Sequence, residues 1–393
     1  MRAVTSPFVF GREVTGAELV DRTDELAELV RVLQHRRRHF LIGPRRFGKT
    51  SILVTAAKRV RELGGIVVMV NAEEFVTEAA VAAEIVAQTA KGSGLKLKTA
   101  MHRAQQLFGR LRPTMSYDPV QDTWSVKLNY DDAATQTLLV SEALEGLDRL
   151  GASVDVPVAL IIDEFQALVA DEGIAAERQL RAVIQRQRHV AYVFAGSDES
   201  MMTAITSDHG RPFYRLGSKR YLSAIPREDF RPHLMQAYRR AGAELTTGGA
   251  ERILDLSRDV PYNVQRLGLA CWEVVQRLAP RPSGTPVKID EAFVQREFDR
   301  FLEIESPTYL QSITTLTTIQ LKVLKFHAEQ APKPLRWQPV AKSLHLATST
   351  FKRATSALVR RTILRRVYEE DLATRYAFED PFLGEWVRRR LHV

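Results

Sequence analysis

A nine-residue stretch, GPRRFGKTS at positions 43–51, constrains this chain more than any other part of it. An apolar run at 40–42 precedes it and a helical pattern follows it. The spacing G-x-x-x-x-G-K-[ST] therefore stands between a predicted strand and a predicted helix. Glycines in such a loop let successive backbone N–H groups point at phosphate oxygens, and the helix N-terminus adds partial positive charge. The stretch predicts a site for phosphate groups.

The residue types in this stretch indicate which phosphates it binds. Lys49 is placed to reach the β- and γ-phosphates of a nucleoside triphosphate, and the hydroxyl of Thr50 is placed to ligate Mg²⁺. We therefore expect ATP or ADP with Mg²⁺ as ligands, held by Gly43, Pro44, Arg45, Arg46, Phe47, Gly48, Lys49, Thr50 and Ser51. The bland alternative is a glycine-rich turn beside a surface lysine.

A second apolar run, residues 156–162, ends in two acids, Asp163 and Glu164. Open α/β sheets bind ligands at the C-terminal ends of their strands, which is where these acids are expected. Asp163 is predicted to hold Mg²⁺ through water, and Glu164 to orient and polarise an attacking water molecule. Such a pattern is weak evidence alone, but here it follows the phosphate loop by about 110 residues. The two motifs together predict hydrolysis of ATP.

Three further polar residues are candidates for sensing the γ-phosphate. Ser197 follows a third buried strand pattern at 190–195. In additional-strand P-loop ATPases, the polar residue just after this strand lies in space between the two motifs above. An ordinary helix cap explains Ser197 equally well. Arg211 and Arg215 lie in a later loop, where a positive charge can act on the nucleotide of a neighbouring subunit. A surface ion pair is the better explanation for either arginine taken alone.

The length of 393 residues predicts two or three domains. We divide the chain into an N-terminal segment at 1–35, an ATPase core at 36–222, a helical lid at 223–306 and a last domain at 307–393. Alternating residues near 111–130 predict a β-hairpin inserted into the core.

In the lid, Arg266 lies one turn into its helix and could reach back to the phosphates. A lid surface arginine is at least as good an explanation.

Positive charge is concentrated at the C-terminal end. Residues 313–393 hold fifteen Lys and Arg against seven Asp and Glu, a balance of +8 in a chain whose net charge is +9. Their pattern, three helices and then a hairpin, predicts a winged helix-turn-helix. Its third helix has an apolar face and a basic face suited to DNA phosphates. The predicted DNA contacts are Lys352, Arg353, Arg360, Arg361 and Arg365, and a winged helix that contacts protein is the alternative.

Composition limits where the protein is expected to act. No apolar stretch approaches the roughly 18 residues that span a bilayer, and no signal-peptide pattern opens the chain. The single cysteine, Cys271, excludes an intramolecular disulfide and lies in an apolar helical run typical of a buried thiol. We therefore expect a cytoplasmic protein without membrane contact.

Several motifs together resemble the archaeal-type ATPases of the STAND class, which are relatives of the initiator-type (origin-recognition) AAA+ ATPases. The matching stretches are 21–26 (DRTDEL), 43–51 (GPRRFGKTS), 160–166 (LIIDEFQ), 194–197 (FAGS), 261–265 (PYNVQ) and 379–386 (EDPFLGEW). The resemblance covers nearly the whole chain except the predicted hairpin. It implies an α/β fold: a three-layer P-loop NTPase core of the additional-strand type, a helical lid and a C-terminal winged helix.

The resemblance also implies that Arg22 flanks the adenine and that Pro261 and Tyr262 lie beside the nucleotide. The chain departs from the family pattern at three places. Asp21 and Asp259 stand where the family has glycine, and a glycine often found before the loop arginine is replaced, since Tyr214 directly precedes Arg215. These departures affect the expected adenine contacts and the role of Arg215, but not the phosphate chemistry.

The function expected from the sequence is that of an ATP-hydrolysing molecular switch. Its nucleotide state would control the basic winged helix on duplex DNA, with Lys49, Ser197 and Arg215 acting beside Glu164 in catalysis. The main alternative is a signalling or defence NTPase whose winged helix binds a protein partner, and a homo-oligomer is possible in either case. A nucleotide-binding protein without turnover is disfavoured by the intact Asp163-Glu164 pair.

Overall fold

The computed structural model describes most of the chain, which divides into two compact units, residues 15–223 and residues 1–14 with 224–393. The described residues are 6–12, 14, 16, 19–75, 77–92, 97–118, 123–129, 136–170, 173–278, 286–330, 337–367 and 375–392. The turn of the predicted hairpin, at 119–122, and part of the predicted wing, at 368–374, lie outside the described residues.

The first unit is built on a five-stranded parallel sheet, which confirms the α/β P-loop core expected from the sequence. Its strands are β1 (Arg38–Ile42), β2 (Ile66–Asn71), β5 (Val158–Asp163), β6 (Val190–Gly196) and β7 (Ser218–Tyr221). Their order is β2-β5-β6-β1-β7, so β6 lies between β1 and β5. The apolar strands are covered on both faces, because every residue of β5 and β6 is buried.

Helices cover this sheet and an antiparallel pair is inserted between two of them. The helices are α1 (Thr23–Gln34), α2 (Lys49–Glu62), α3 (Glu78–Gly92), α4 (Leu97–Leu107), α5 (Gln136–Ser153), α6 (Phe165–Ala170), α7 (Gly173–Arg186) and α8 (Glu199–Ser207), and the pair is β3 (Pro113–Asp118) with β4 (Thr123–Leu128). Short 3₁₀ turns occupy Ala72–Glu74 and Gly109–Leu111. Four aromatic rings, Phe40, Phe165, Phe194 and Phe213, pack together in the core.

The second unit is mainly helical. It contains α9 (Arg227–Arg240), β8 (Ala243–Leu245), α10 (Thr247–Ser257), α11 (Pro261–Arg277), β9 (Val287–Ile289), α12 (Glu291–Ile313), α13 (Thr318–Glu329), α14 (Trp337–Ser343), α15 (Thr348–Arg360), β10 (Leu364–Val367), β11 (Arg375–Phe378) and α16 (Pro381–Arg390). The strands β10 and β11 pair antiparallel after three helices. No described helix is long and apolar enough to cross a membrane.

Two boundaries drawn from the sequence need correction. The predicted break between residues 306 and 307 falls inside α12, which continues through Pro307. Buried side chains on both sides of the proline, Leu302 and Tyr309, hold the helix together against the cost of the missing hydrogen bond. The predicted N-terminal segment at 1–35 is also divided. Phe8 packs on Tyr238 of α9, with ring centroids 4.9 Å apart, so the first described residues belong to the second unit.

Candidate nucleotide site

The phosphate loop lies between β1 and α2 and has two residues with left-handed backbone. Arg46 has φ +72° and Gly48 has φ +86°. Left-handed residues alternating with ordinary ones turn successive N–H groups to the same side and form a concave anion site. Gly43 has a different reason to be glycine, because a Cβ there would lie 2.7 Å from the Cβ of Leu222. The loop backbone therefore has the form that a phosphate requires.

The first two residues of α2 meet the two acids at the end of β5. The Nζ of Lys49 lies 3.1 Å from Oε1 of Glu164, and the Thr50 hydroxyl donates a hydrogen bond of 2.7 Å to Oδ2 of Asp163. The ion pair is well shielded, since the Lys49 side chain is 5% exposed and that of Glu164 is 12% exposed. The structure thus brings together two pairs of adjacent residues that are separated from each other by more than a hundred positions in the sequence.

Glu164 is held by more partners than the sequence predicts. Its Oε2 accepts hydrogen bonds from the Ser197 amide (3.0 Å), the Ser197 hydroxyl (2.7 Å) and Nε2 of Gln166 (2.6 Å). Burial alone would raise the pKa of Glu164, but the Lys49 charge and these hydrogen bonds bring it below its ordinary value. A carboxylate that stays ionised and fixed in direction is suited to orient a water molecule by accepting its hydrogen bond.

The environment of Asp163 shifts its pKa in the opposite direction. Burial raises the pKa of this carboxyl above its ordinary value, although the charge of Lys49 and the hydrogen bond from Thr50 oppose the shift. A hydroxyl and a carboxylate side by side are hard oxygen ligands of the kind that Mg²⁺ takes. The pair therefore fits that ion, which would supply the positive charge that favours ionised Asp163. Among the described residues no cluster of His, Cys, Asp and Glu suggests another metal.

Two residues around Glu164 have partners that the sequence did not reveal. Gln166 lies in the motif at 160–166, but no role could be assigned to it because its side-chain direction depends on how α6 leaves the strand. Arg45 forms an ion pair of 2.7 Å with Glu73, and its Nε lies 3.4 Å from the Ser197 hydroxyl. Ser197 is in contact with Glu164, and Asp198, rather than Ser197, caps α8 through Met201 N.

Arg22, expected beside the adenine, is almost completely buried. It is 2% exposed, and its guanidinium donates to the Ser223 carbonyl at 2.5 Å and to Glu25 at 3.2 Å. Asp21 and Arg22 both have left-handed backbone, with φ +53° and +72°. Asp259, the other aspartate at an expected glycine, has φ +57°. The two aspartates therefore stand at positions whose backbone favours glycine, and aspartate is one of the residues that tolerate it.

The two loop arginines differ in their surroundings. Arg211 forms an ion pair with Glu177, whose side chain is 0% exposed, and its Nε donates to that carboxylate at 3.1 Å. Arg215 is exposed, with its guanidinium 5.1 Å from the centre of the Tyr214 ring. The charge of Arg211 is therefore balanced by Glu177 within the same unit. Action on the nucleotide of a neighbouring subunit stays a prediction for Arg215.

The lid residues at the start of α11 make their contacts inside the second unit. Arg266 lies 3.2 Å from Glu305 and 3.4 Å from Asp380, with its guanidinium 4.8 Å from the centre of the Phe301 ring. Tyr262 lies beside the same guanidinium, at 5.7 Å, and follows Pro261, the first residue of the helix. The contacts of Arg266 that the structure shows therefore all lie within the second unit. Its expected contact with the phosphates stays a prediction.

The predicted DNA contacts lie on α15 and after it. Lys352, Arg353 and Arg360 are exposed, while Phe351, Ala354 and Leu358 of the same helix are buried. Arg361 donates to the Thr315 hydroxyl at 2.7 Å, and Arg365 is half-buried on β10. Helix α15 therefore has one apolar face and one basic face.

Comparisons with known proteins agree with the ATPase fold of the first unit. A family model described as "ATPase domain predominantly from Archaea" matches residues 19–223, just over half of the chain. The chain is similar to a Walker-type ATPase of Pyrococcus abyssi, with 13% identity, a TM-score of 0.64 and coverage of 97% of this chain and 99% of that one. It is also similar to the ORC2 protein of Aeropyrum pernix in its ADPNP–ADP complexes, with 14% identity, a TM-score of 0.54 and coverage of 96% and 95%. At these identities the likeness concerns the fold alone. No curated protein matches the chain.

Proposed function

The chain belongs to the family of ATPase domains found predominantly in Archaea, and from this premise we propose that it is an Mg²⁺-dependent ATPase switch that acts on duplex DNA. Residues 15–223 would bind and hydrolyse ATP, and the basic C-terminal residues would contact the nucleic acid. A STAND-class subtype and a winged helix at 307–393 are part of the same proposal. Each part has its own support among the described residues.

The convergence of four side chains carries the ATPase part of the proposal. Lys49 and Thr50 begin a helix directly after a concave loop, and both contact acids at the end of β5. Bound Mg²⁺ would neutralise phosphate charge between Thr50 and Asp163. When ATP enters, Lys49 exchanges its contact with Glu164 for the phosphates. Glu164, still held by Ser197 and Gln166, is then directed at a water molecule in line with the γ-phosphate.

The basic face of α15 supports the DNA part of the proposal. Among the described residues, neither Arg353 nor Arg360 forms an ion pair, and Lys352 lies 5.3 Å from the centre of the Trp337 ring. Exposed cations on one helix face are the groups that contact DNA phosphates. The same end of the chain carries a balance of +8 over residues 313–393. A protein partner remains the competing hypothesis.

Titration of the full chain with duplex DNA at several salt concentrations separates the two hypotheses. For binding through DNA phosphates, the logarithm of the binding constant falls linearly with the logarithm of the salt concentration. Each phosphate contact adds about 0.9 to the steepness of that slope. We expect a triple substitution of Lys352, Arg353 and Arg360 by Ala to lower that slope by roughly 2 to 3. Substitution of Arg239, Arg240 and Lys288, exposed cations on α9 and β9, removes equal charge and serves as the control.

No DNA binding near 50 mM salt would reject the DNA part and favour a protein partner, because phosphate contacts are strong at that ionic strength. An equal loss in both triple variants would reject α15 as the contact surface. ATP hydrolysis by the unmodified chain is measured in the same samples, so the ATPase part is tested separately from the DNA part.

A further inference from the structure

Arg45 lies inside the phosphate loop, four residues before Lys49, yet its side chain reaches the catalytic carboxylate through one hydroxyl group. Its Nε lies 3.4 Å from the Ser197 hydroxyl, which in turn donates to Glu164 at 2.7 Å. The other side of the guanidinium contacts Glu73 at 2.7 Å, in the 3₁₀ turn that follows β2. This chain of contacts runs along the edge of the sheet where Lys49 and Asp163 also lie.

The contacts of Arg45 are of a kind that a ligand can replace. The side chains of Arg45 and Glu73 are each 43% exposed, and an exposed ion pair contributes little to stability. A triphosphate carries more negative charge than one carboxylate and presents oxygens that a guanidinium binds with two parallel hydrogen bonds. By contrast, Arg211 is paired with the fully buried Glu177, and breaking such a pair is costly.

We propose that Arg45 is a catalytic arginine that acts in cis. Its side chain moves away from Glu73 and binds the γ-phosphate of the ATP held by the phosphate loop of the same chain. The role rests on the nucleotide site proposed above. As the water oxygen bonds to the γ-phosphorus, the bond to the β–γ bridging oxygen breaks and the water proton passes to Glu164. ADP and inorganic phosphate leave, and Glu164 returns the proton to solvent. Arg45 stabilises the negative charge of the equatorial oxygens and, through Ser197, remains beside Glu164.

Steady-state ATPase kinetics and binding of a slowly hydrolysed ATP analogue test this role. For Arg45→Ala we expect kcat to fall by about 10²–10³-fold, with analogue binding weakened by less than about tenfold. Arg45→Lys, which keeps the charge but loses the planar fork, should recover only part of the loss. Arg59→Ala removes an exposed arginine from α2 and is the matched control, with kinetics like the unmodified chain.

The Glu73→Gln variant separates a catalytic role from a structural one. If Glu73 only holds Arg45 in its resting position, this variant keeps kcat and binds the analogue up to about fivefold more tightly. If the ion pair is needed to shape the loop, Glu73→Gln loses kcat as Arg45→Ala does, and the proposal is overturned. An unchanged kcat in Arg45→Ala overturns it as well.

Mixing two inactive variants tests whether Arg45 acts within its own chain. Arg45→Ala retains an intact Lys49, and Lys49→Ala retains an intact Arg45. We expect the mixture to hydrolyse ATP no faster than the sum of its parts. Activity restored above that sum would show that the arginine acts on a neighbouring subunit and would overturn the cis assignment. A wrong nucleotide site can be told apart from a wrong role for Arg45. If the nucleotide site proposed above is wrong, the Lys49→Ala variant alone binds the analogue with normal affinity.

Discussion

Lys49 forms an ion pair with the carboxylate of Glu164 in the structure, and in the proposed complex it contacts the triphosphate instead. We expect Lys49→Ala to weaken ATP binding by about 100-fold, because a charged hydrogen-bonding group is removed from a shielded site. Lys58→Ala, an exposed change on the same helix, is the control. Isothermal titration calorimetry measures both affinities. Unchanged affinity in Lys49→Ala would remove the phosphate-loop assignment.

Glu164 is predicted to act on water rather than on ATP binding. The Glu164→Gln variant keeps the shape of the side chain but cannot accept the proton, so we expect ATP to bind and remain uncleaved. Single-turnover hydrolysis should slow by about 10²–10⁴-fold. Glu62→Gln, an exposed change at the end of α2, should hydrolyse ATP at the unmodified rate. Normal turnover by Glu164→Gln would exclude this residue as the proton acceptor.

The sequence predicted which residues would converge, but only part of how they are held. Motif spacing places Lys49 and Asp163 at one sheet edge because parallel strands end there together. The contacts of Gln166 and Arg45 were not predictable in this way. They depend on left-handed backbone at Glu164, with φ +51°, and on the path of a loop, neither of which has a periodic signature.

At the scale of elements, Asp380 joins two helices that are distant in the sequence. It caps α16 by accepting from Phe382 N at 3.0 Å, accepts from Asn263 of α11 at 2.8 Å and pairs with Arg266. The motifs at 261–265 and 379–386, which the resemblance linked to a family, are therefore in contact with each other. Sequence alone could not show this, because each motif contains only one side of the contact.

We expect Asp380→Ala to lower the free energy of unfolding of the second unit by about 2–4 kcal/mol, since a helix cap and a shielded ion pair are lost together. Asp290→Ala removes an exposed cap of α12, which accepts from Phe293 N at 2.9 Å, and should cost only about 1 kcal/mol. Urea unfolding of the full chain measures both. Equal losses would mean that the contacts of Asp380 with α11 contribute nothing.

His327 makes the stability of the second unit depend on pH. The ring is buried, and burial lowers its pKa to about 4, while the unfolded chain has a value near 6.5. The folded state therefore favours the neutral ring. Its contribution is fully present above pH 6.5 and is lost as pH falls toward 4, by about 3 kcal/mol in all.

Substitution by an aromatic residue without a titrating group tests this dependence. His327→Phe preserves ring packing against Phe351, whose centroid lies 6.0 Å away, and should flatten the loss between pH 6.5 and 4. His345→Asn changes an exposed histidine of the same unit and should leave the loss in place. Three of the four tryptophans, Trp272, Trp337 and Trp386, lie in this unit and the fourth, Trp124, lies in the other. Urea unfolding followed by tryptophan fluorescence therefore reports mainly on this unit. An unchanged pH profile in His327→Phe would assign the effect to other groups.

At the scale of the whole molecule, a switch must show equal coupling in both directions. If ATP changes the affinity of the chain for DNA by a given factor, DNA must change the affinity for ATP by the same factor. We expect a factor of at least about five, measured with Glu164→Gln so that ATP stays intact. Equal DNA affinity with ATP and with ADP would contradict a nucleotide-controlled switch and leave two independent binding activities.

The division of the chain into units has a consequence for its synthesis. Val9 donates its N–H to Gln265, 256 residues further on, and Phe8 packs on Tyr238. The unit that contains these residues can close only after residues 15–223 have been made. At ordinary synthesis rates the delay is on the order of 10–50 s. The phosphate-loop unit can fold during that time. We therefore expect the newly made chain to contain a folded ATPase core before Tyr238, on which Phe8 packs, has been synthesised.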